Sequence, residues 1–149
     1  MATFVLFDQA RIDLLSGVHN LASGGDTIKV ATVSSATTPS QSQAAPHFGG
    51  SGTTDLSTNE VIGGSISAGG LTLANQTVSG DPNTLFNADD VVIAANGSNP
   101  SNVRHLVYYN DTDASKRCLG YVTYTVDQDL SSGSNTIDHT NGIFQVSGN

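Results

Sequence analysis

"NVRHLVYYNDTDASKRCLGYVTYTV", residues 102–126, holds two runs rich in Val, Tyr, Leu and Thr on either side of a polar centre. In "YVTYTV", Val122, Tyr124 and Val126 fall on one side of an extended chain, and Tyr121, Thr123 and Thr125 on the other. That two-residue period with β-branched and aromatic side chains predicts a strand covered unequally on its two faces. The tip "NDTDASKR" is a turn composition, so the stretch reads as a β-hairpin with a long exposed loop.

Strands of the same kind are predicted at "DTIKVATVS" (26–34), "GLTLANQTVS" (70–79), "DDVVIAA" (89–95) and "GIFQV" (142–146). They are separated by "GDPN", "NGSNP" and "SSGSN", where Gly supplies positive φ, Pro fixes φ and Asn or Asp closes local turns. One short helix is expected within Phe4–Gly17, with Asp8 as N-cap, Phe7 and Ile12 as a hydrophobic staple and Gly17 as the left-handed C′ residue. Ile12 and Leu15 would form its docking face. No helical crossovers separate the strands, so the chain reads as all-β: a β-sandwich or small β-barrel of about 6–8 strands. At 149 residues, 1–149 fits a single domain, with 1–17 as N-terminal arm and helix.

Residues 34–57 break the pattern. After "IKVATV" the chain runs through Pro, Ser, Gln and Gly with only Phe48 and Leu56 as large apolar residues. A connection this long is functional or disordered more often than it is idle. It is read here as an extended polar loop that stays loose alone and orders on another protein, with an ordinary mobile surface loop as the plain alternative. An arm of that kind could lose residues 36–54 without harm to folding.

Composition excludes several functions. Thirteen acidic against five basic side chains give a formal charge of −8, a surface that repels nucleic-acid phosphates and anionic membranes. The single Cys118 rules out an internal disulfide framework and is read as a small buried hydrophobe. "MATFVLFDQARIDLL" lacks the basic region and long apolar run of a secretory signal, and no segment has the length of a membrane span, so a soluble protein made in the cytoplasm is expected.

Catalytic motifs are missing in the sequence. His19, His47, His105 and His139 show no close ligand pair and are expected to be solvated or locally hydrogen-bonded. "DTDAS" (111–115) opens like a calcium loop, then places Lys116 where Gly is needed and Val122 where a bidentate Glu is needed. The Gly-Gly pairs lack phosphate-loop spacing, and "GGSG" (49–52) is not a nucleophile elbow. The expectation is a protein that is not an enzyme and uses no cofactor or metal.

The ordered set "DTIKVATVSSATTP", "STNEVIGGSISAGGLTLANQTVS", "FNADDVVIAA", "LVYYNDTDASKRCLGYVTY" and "NTIDHTNGIFQV" resembles a group of small virion structural proteins of tailed bacteriophages. The likeness covers nearly the whole chain. Some similar β-rich proteins are cement or decoration proteins, bound as trimers to the outside of the head at local threefold positions. The resemblance therefore implies a virion protein, the major capsid protein as partner and a homotrimer as assembly. The charge favours the outer surface, away from packaged DNA.

On that reading Phe4, Phe7 and Arg11 in the N-terminal arm, and Pro46, His47 and Phe48 in the loop, are candidate contacts with the capsid or a neighbouring subunit, because aromatic and Arg side chains dominate interface hot spots. Core packing is the alternative for Phe4 and Phe7. Rival readings are a tail, head–tail adaptor or fibre-base component, and a host-glycan-binding module using Tyr108, Tyr109, Tyr121 and Tyr124.

Overall fold

The structure is a computed structural model that describes residues 3–80 and 82–147. The hairpin is its centre: β9 (Val103–Asn110) pairs antiparallel with β10 (Cys118–Gln128), and β2 (Ile28–Val33) adds to the other side of β9. The edges are β1 (Phe4–Leu6), on β10, and the two-residue β5 (Leu71–Thr72), on β2. The order β1-β10-β9-β2-β5 leaves both ends open, so the sheet does not close and the small-barrel alternative falls away.

Alternation along these strands feeds two separate cores. Ile28, Val30, Leu106 and Tyr108 face one way, toward Phe86, Ile93, Ile137 and Ile143. These come from a second layer: a sheet of β6 (Thr77–Ser79), β7 (Asn83–Asn87) and β12 (Phe144–Ser147), and a pair formed by β8 (Val91–Ile93) and β11 (Asn135–Ile137). Ala31, Val33, Val107 and Tyr109 face the opposite way and pack under Phe7, Ala10, Phe48 and Leu56. The molecule is mostly β, with the central sheet covered on both faces and the sheets stacked as in a sandwich.

Residues 34–57 supply much of that second cover, which corrects the reading of a loose arm. Two short strands, β3 (Pro46–His47) and β4 (Thr54–Asp55), pair in parallel. The Phe48 N–H donates to the Lys116 carbonyl at 2.9 Å, and Ser51 N–H to the Ser115 carbonyl at 3.2 Å, so the loop is bonded to the hairpin tip. That tip is anchored too. Asp111 pairs with Lys29 at 2.9 Å, Thr27 N–H donates to Thr112 Oγ1 at 2.8 Å, and Arg117 reaches Asp13 at 3.4 Å. The expected exposed tip is a partly buried junction because its charges find partners on β2 and α1 and its backbone bonds the 34–57 segment.

The helix α1 (Asp8–Leu15) starts one residue earlier than the expected Asp8 cap implies, and Phe4–Leu6 before it complete the sheet edge as β1. Phe7 occupies the N-cap position with no side-chain cap, and Asp8 is the first helical residue, its carboxylate accepting from Arg11 and Gln41. The end matches expectation. Gly17 at φ +73° closes a Schellman motif in which Val18 N–H donates to Asp13 O at 2.9 Å and Gly17 N–H to Leu14 O at 3.3 Å. The expected docking face does not dock: Ile12 is 58% and Leu15 92% exposed, and α1 packs through Ala10 and Asp13 instead. The predicted strand at 70–79 divides between two sheets because Asn75 turns the chain at φ +50°.

Gly120 lets β1 lie close to β10. A Cβ there would stand 2.4 Å from the Val5 carbonyl oxygen and 2.3 Å from the Phe4 ring, and the backbone atom cannot swing away. Gly120→Ala is expected to push β1 outward at a cost of about 1–3 kcal/mol, the usual range for overpacking. Urea unfolding would read it as a lower midpoint, and an unchanged midpoint would contradict the close approach.

Candidate functional site

Three places bring chemistry-bearing or unpartnered side chains together, and the first two are wired for structure. Ser57, Asp55 and His47 meet within the 34–57 segment, but Ser57 Oγ donates to Asp55 Oδ1 at 2.8 Å, while His47 Nδ1 lies 3.8 Å from that carboxylate. A hydroxyl that gives its proton to a carboxylate has no imidazole base to activate it. Asp55 Oδ1 also accepts from the N–H groups of Gly49 (3.0 Å) and Ser57 (2.9 Å). Burial raises its pKa, but these bonds outweigh that and hold it below the ordinary carboxylate value.

The second place is Tyr108 and His139. The Tyr108 hydroxyl lies 3.0 Å from His139 Nε2, and His139 Nδ1 lies 2.9 Å from the Asp89 carbonyl. A carbonyl can only accept, so Nδ1 carries the proton and Nε2 accepts from the tyrosine. Burial pushes the Tyr108 hydroxyl well above its ordinary pKa, which keeps it neutral. Cys118 is likewise sealed, its thiol driven well up by burial.

All four histidines are buried, so the solvated alternative does not hold; His19, His105 and His139 each meet a protein hydrogen-bond partner, such as the Thr123 hydroxyl 3.0 Å from His105 Nδ1, while His47 Nδ1 has none among the described residues. Among the described residues no group of three His, Cys, Asp or Glu side chains is placed to hold a metal ion, and no helix is long and apolar enough to cross a membrane.

The third place is a groove of about 850 Å³ between β1, the outer face of α1 and β12. Phe4 and Phe144 stack across its floor with centroids 5.4 Å apart and planes 17° from parallel. Leu14, Leu15 and Val146 form its walls, with Leu15 92% and Val146 53% exposed. β1 and β12 are each the end strand of a sheet, so among the described residues each has one edge without a partner. Among the described residues no carboxylate lines the groove, and the one charged side chain that does is Arg11, paired with Asp8 at 3.2 Å. A smaller apolar depression continues from it past Val78 and Leu21 and shares Leu14, Phe144 and Val146.

The six candidate contact residues divide sharply. Arg11 is exposed and, with the half-buried Phe4, lines the groove. Phe7 is 0% exposed, Phe48 3% and His47 6%, and Pro46 is among the most deeply buried side chains. Phe7 and Phe48 meet in one core cluster, so these four serve the fold and present no surface to a partner. Tyr108, Tyr109 and Tyr121 are also buried and offer no face for a sugar to stack on.

The groove residues that the sequence reading missed had left a trace. "DLL" places Leu14 and Leu15 side by side, and neighbours on a helix cannot share a face, so one must point outward. No protein-family model, no curated protein and no solved structure matches the chain.

Proposed function

We propose that this protein is an external component of a tailed-phage head, a decoration protein that binds the shell through the groove between β1, α1 and β12. The observation that carries the reading is an apolar groove with no carboxylate among its described lining residues, on a molecule of net charge −8. An acidic surface suppresses non-specific association, and a bare apolar site on it favours a specific partner. The resemblance of the ordered strand motifs to phage virion proteins supplies the partner, the major capsid protein.

The occupant is an extended, apolar, uncharged segment of that shell protein. The two strand edges can bond its backbone, and the stacked Phe4 and Phe144 supply the floor for its side chains, with Leu14 in the wall. Homotrimers would present three grooves around one axis, so that modest single contacts combine into firm attachment.

The test uses purified heads lacking this protein. Leu15→Asp with Val146→Asp should leave the melt unchanged, since both side chains are largely exposed, and should weaken head binding by roughly tenfold or more, the equivalent of about 1.4 kcal/mol. Undiminished binding would overturn the groove as the contact. Antibody labelling of intact virions confined to the tail would overturn the head position.

A further inference from the structure

The segment that follows helix α1, the residues before β2 and the hairpin tip meet at one wholly buried amide. Asn110 Oδ1 accepts from the backbone N–H groups of Thr112 (3.0 Å) and Asp113 (3.1 Å), which fixes which end of the amide is oxygen. Its Nδ2 must therefore donate, and it reaches Asp26 Oδ2 at 2.7 Å and His19 Nδ1 at 3.1 Å. A ring nitrogen that accepts carries no proton, so neutral His19 is the Nε2–H tautomer. That Nε2 is buried and lies 3.9 Å from Asp13 Oδ2 on α1; neither atom has a hydrogen-bond partner among the described residues. Asp13 Oδ1 is already engaged by Gln9 at 3.0 Å and Arg117 at 3.4 Å.

We propose that His19 is a proton-operated latch that holds α1 against the hairpin tip while its ring is neutral and releases it on taking up a second proton. The incoming proton has only Nδ1 to bind, where it meets an amide N–H head on. Asn110 cannot turn to present its oxygen without abandoning two backbone donors. The charges around the ring come from every element packed on it: Asp13 on α1, Asp26 before β2, and Asp113 and Arg117 at the tip.

The three carboxylates favour a charged ring, while burial and Arg117 oppose it; burial is the largest effect and holds the pKa below its ordinary 6.5. The sign follows. A folded-state pKa below the unfolded one means that the latch contributes fully above pH 6.5 and is lost as pH falls from there toward the folded value. Because α1 carries Arg11, Leu14 and Leu15, the same acid step would loosen one wall of the groove, a consequence that rests on the groove being the shell contact.

Imidazole nitrogen–proton correlation spectra of the intact protein test the latch without reference to any partner. At neutral pH, His19 should carry its proton on Nε2 alone and should titrate below 6.5. Amide exchange at residues 12–18, corrected for its intrinsic pH dependence and referred to Val107, should accelerate about tenfold between pH 7 and pH 5. His19→Gln can accept from Asn110 and donate toward Asp13 but takes up no proton, so its exchange should show no such rise. His105, also held low chiefly by burial, titrates in both proteins and sets the common background. An Nδ1–H tautomer at neutral pH, a His19 pKa above 6.5, or equal acid responses in the two proteins would overturn the proposal. Should the variant fail to fold, the tautomer and titration of the unaltered protein decide it.

Discussion

Replacing Phe48 by alanine is expected to destabilise the protein by about 3–5 kcal/mol, the range for removing a buried aromatic from a packed core. The ring is 3% exposed and stacks on Tyr109 with centroids 4.7 Å apart and planes 18° from parallel. Tyr109 is held in turn by its hydroxyl, which donates to the Gly69 carbonyl at 2.7 Å, so the cavity cannot close by a simple movement of that ring. Since a domain of this kind has about 5–15 kcal/mol in total, the loss is a large part of its stability.

Urea unfolding of Phe48→Ala should show a much lower midpoint with an unchanged slope. Removing residues 36–54 should go further, because it strips the cover from Ala31, Val33 and Val107 as well. A native melt for either variant would restore the view of this segment as a separable arm.

Asn110→Ala is expected to cost roughly 3 kcal/mol, several times an ordinary surface change. The alanine leaves the Thr112 and Asp113 N–H groups, Asp26 and His19 each short of one bond inside the protein. A buried group that loses its partner costs about 1–3 kcal/mol, and relaxation of the turn recovers part of the sum. The effect should be local in space. Exchange should rise first at the hairpin tip and α1, while the pairing of Val107 with Ala31 in β9 and β2 persists longest. Equal loosening of both regions would show that Asn110 acts on the whole fold and not on this junction.

Asn110 also marks where sequence reading stops. Its place at the head of "NDTDASKR" made a turn role legible, and as the last residue of β9 it does cap that turn; nothing in its neighbours tells that its amide meets His19 and Asp26 from far earlier in the chain. The same limit applies to the groove. Leu15 beside Leu14 announced one outward leucine, but the depression needs β12, which arrives from the other end of the chain. β7 and β11 escaped notice because "NTLFN" and "NTI" are short and Asn-rich, and they become strands by pairing with β12 and β8.

By itself the sequence determined the β class, the central hairpin, the Gly17 helix stop, the buried Cys118 and the acidic surface. Each rests on local information: a two-residue period, a positive φ, a composition. Tertiary structure alone decided that the polar stretch after "IKVATV" is a cover and not an arm. The sequence reads β2 as one more extended strand, and Lys29 and Thr32 interrupt the continuous apolar run that a strand covered on both faces shows. The second cover is built from one aromatic ring, one leucine and a set of backbone hydrogen bonds, features too sparse to show in composition. Only the arrival of Phe48 on Tyr109 turns those few groups into core, because burial is a property of the pair and not of either segment.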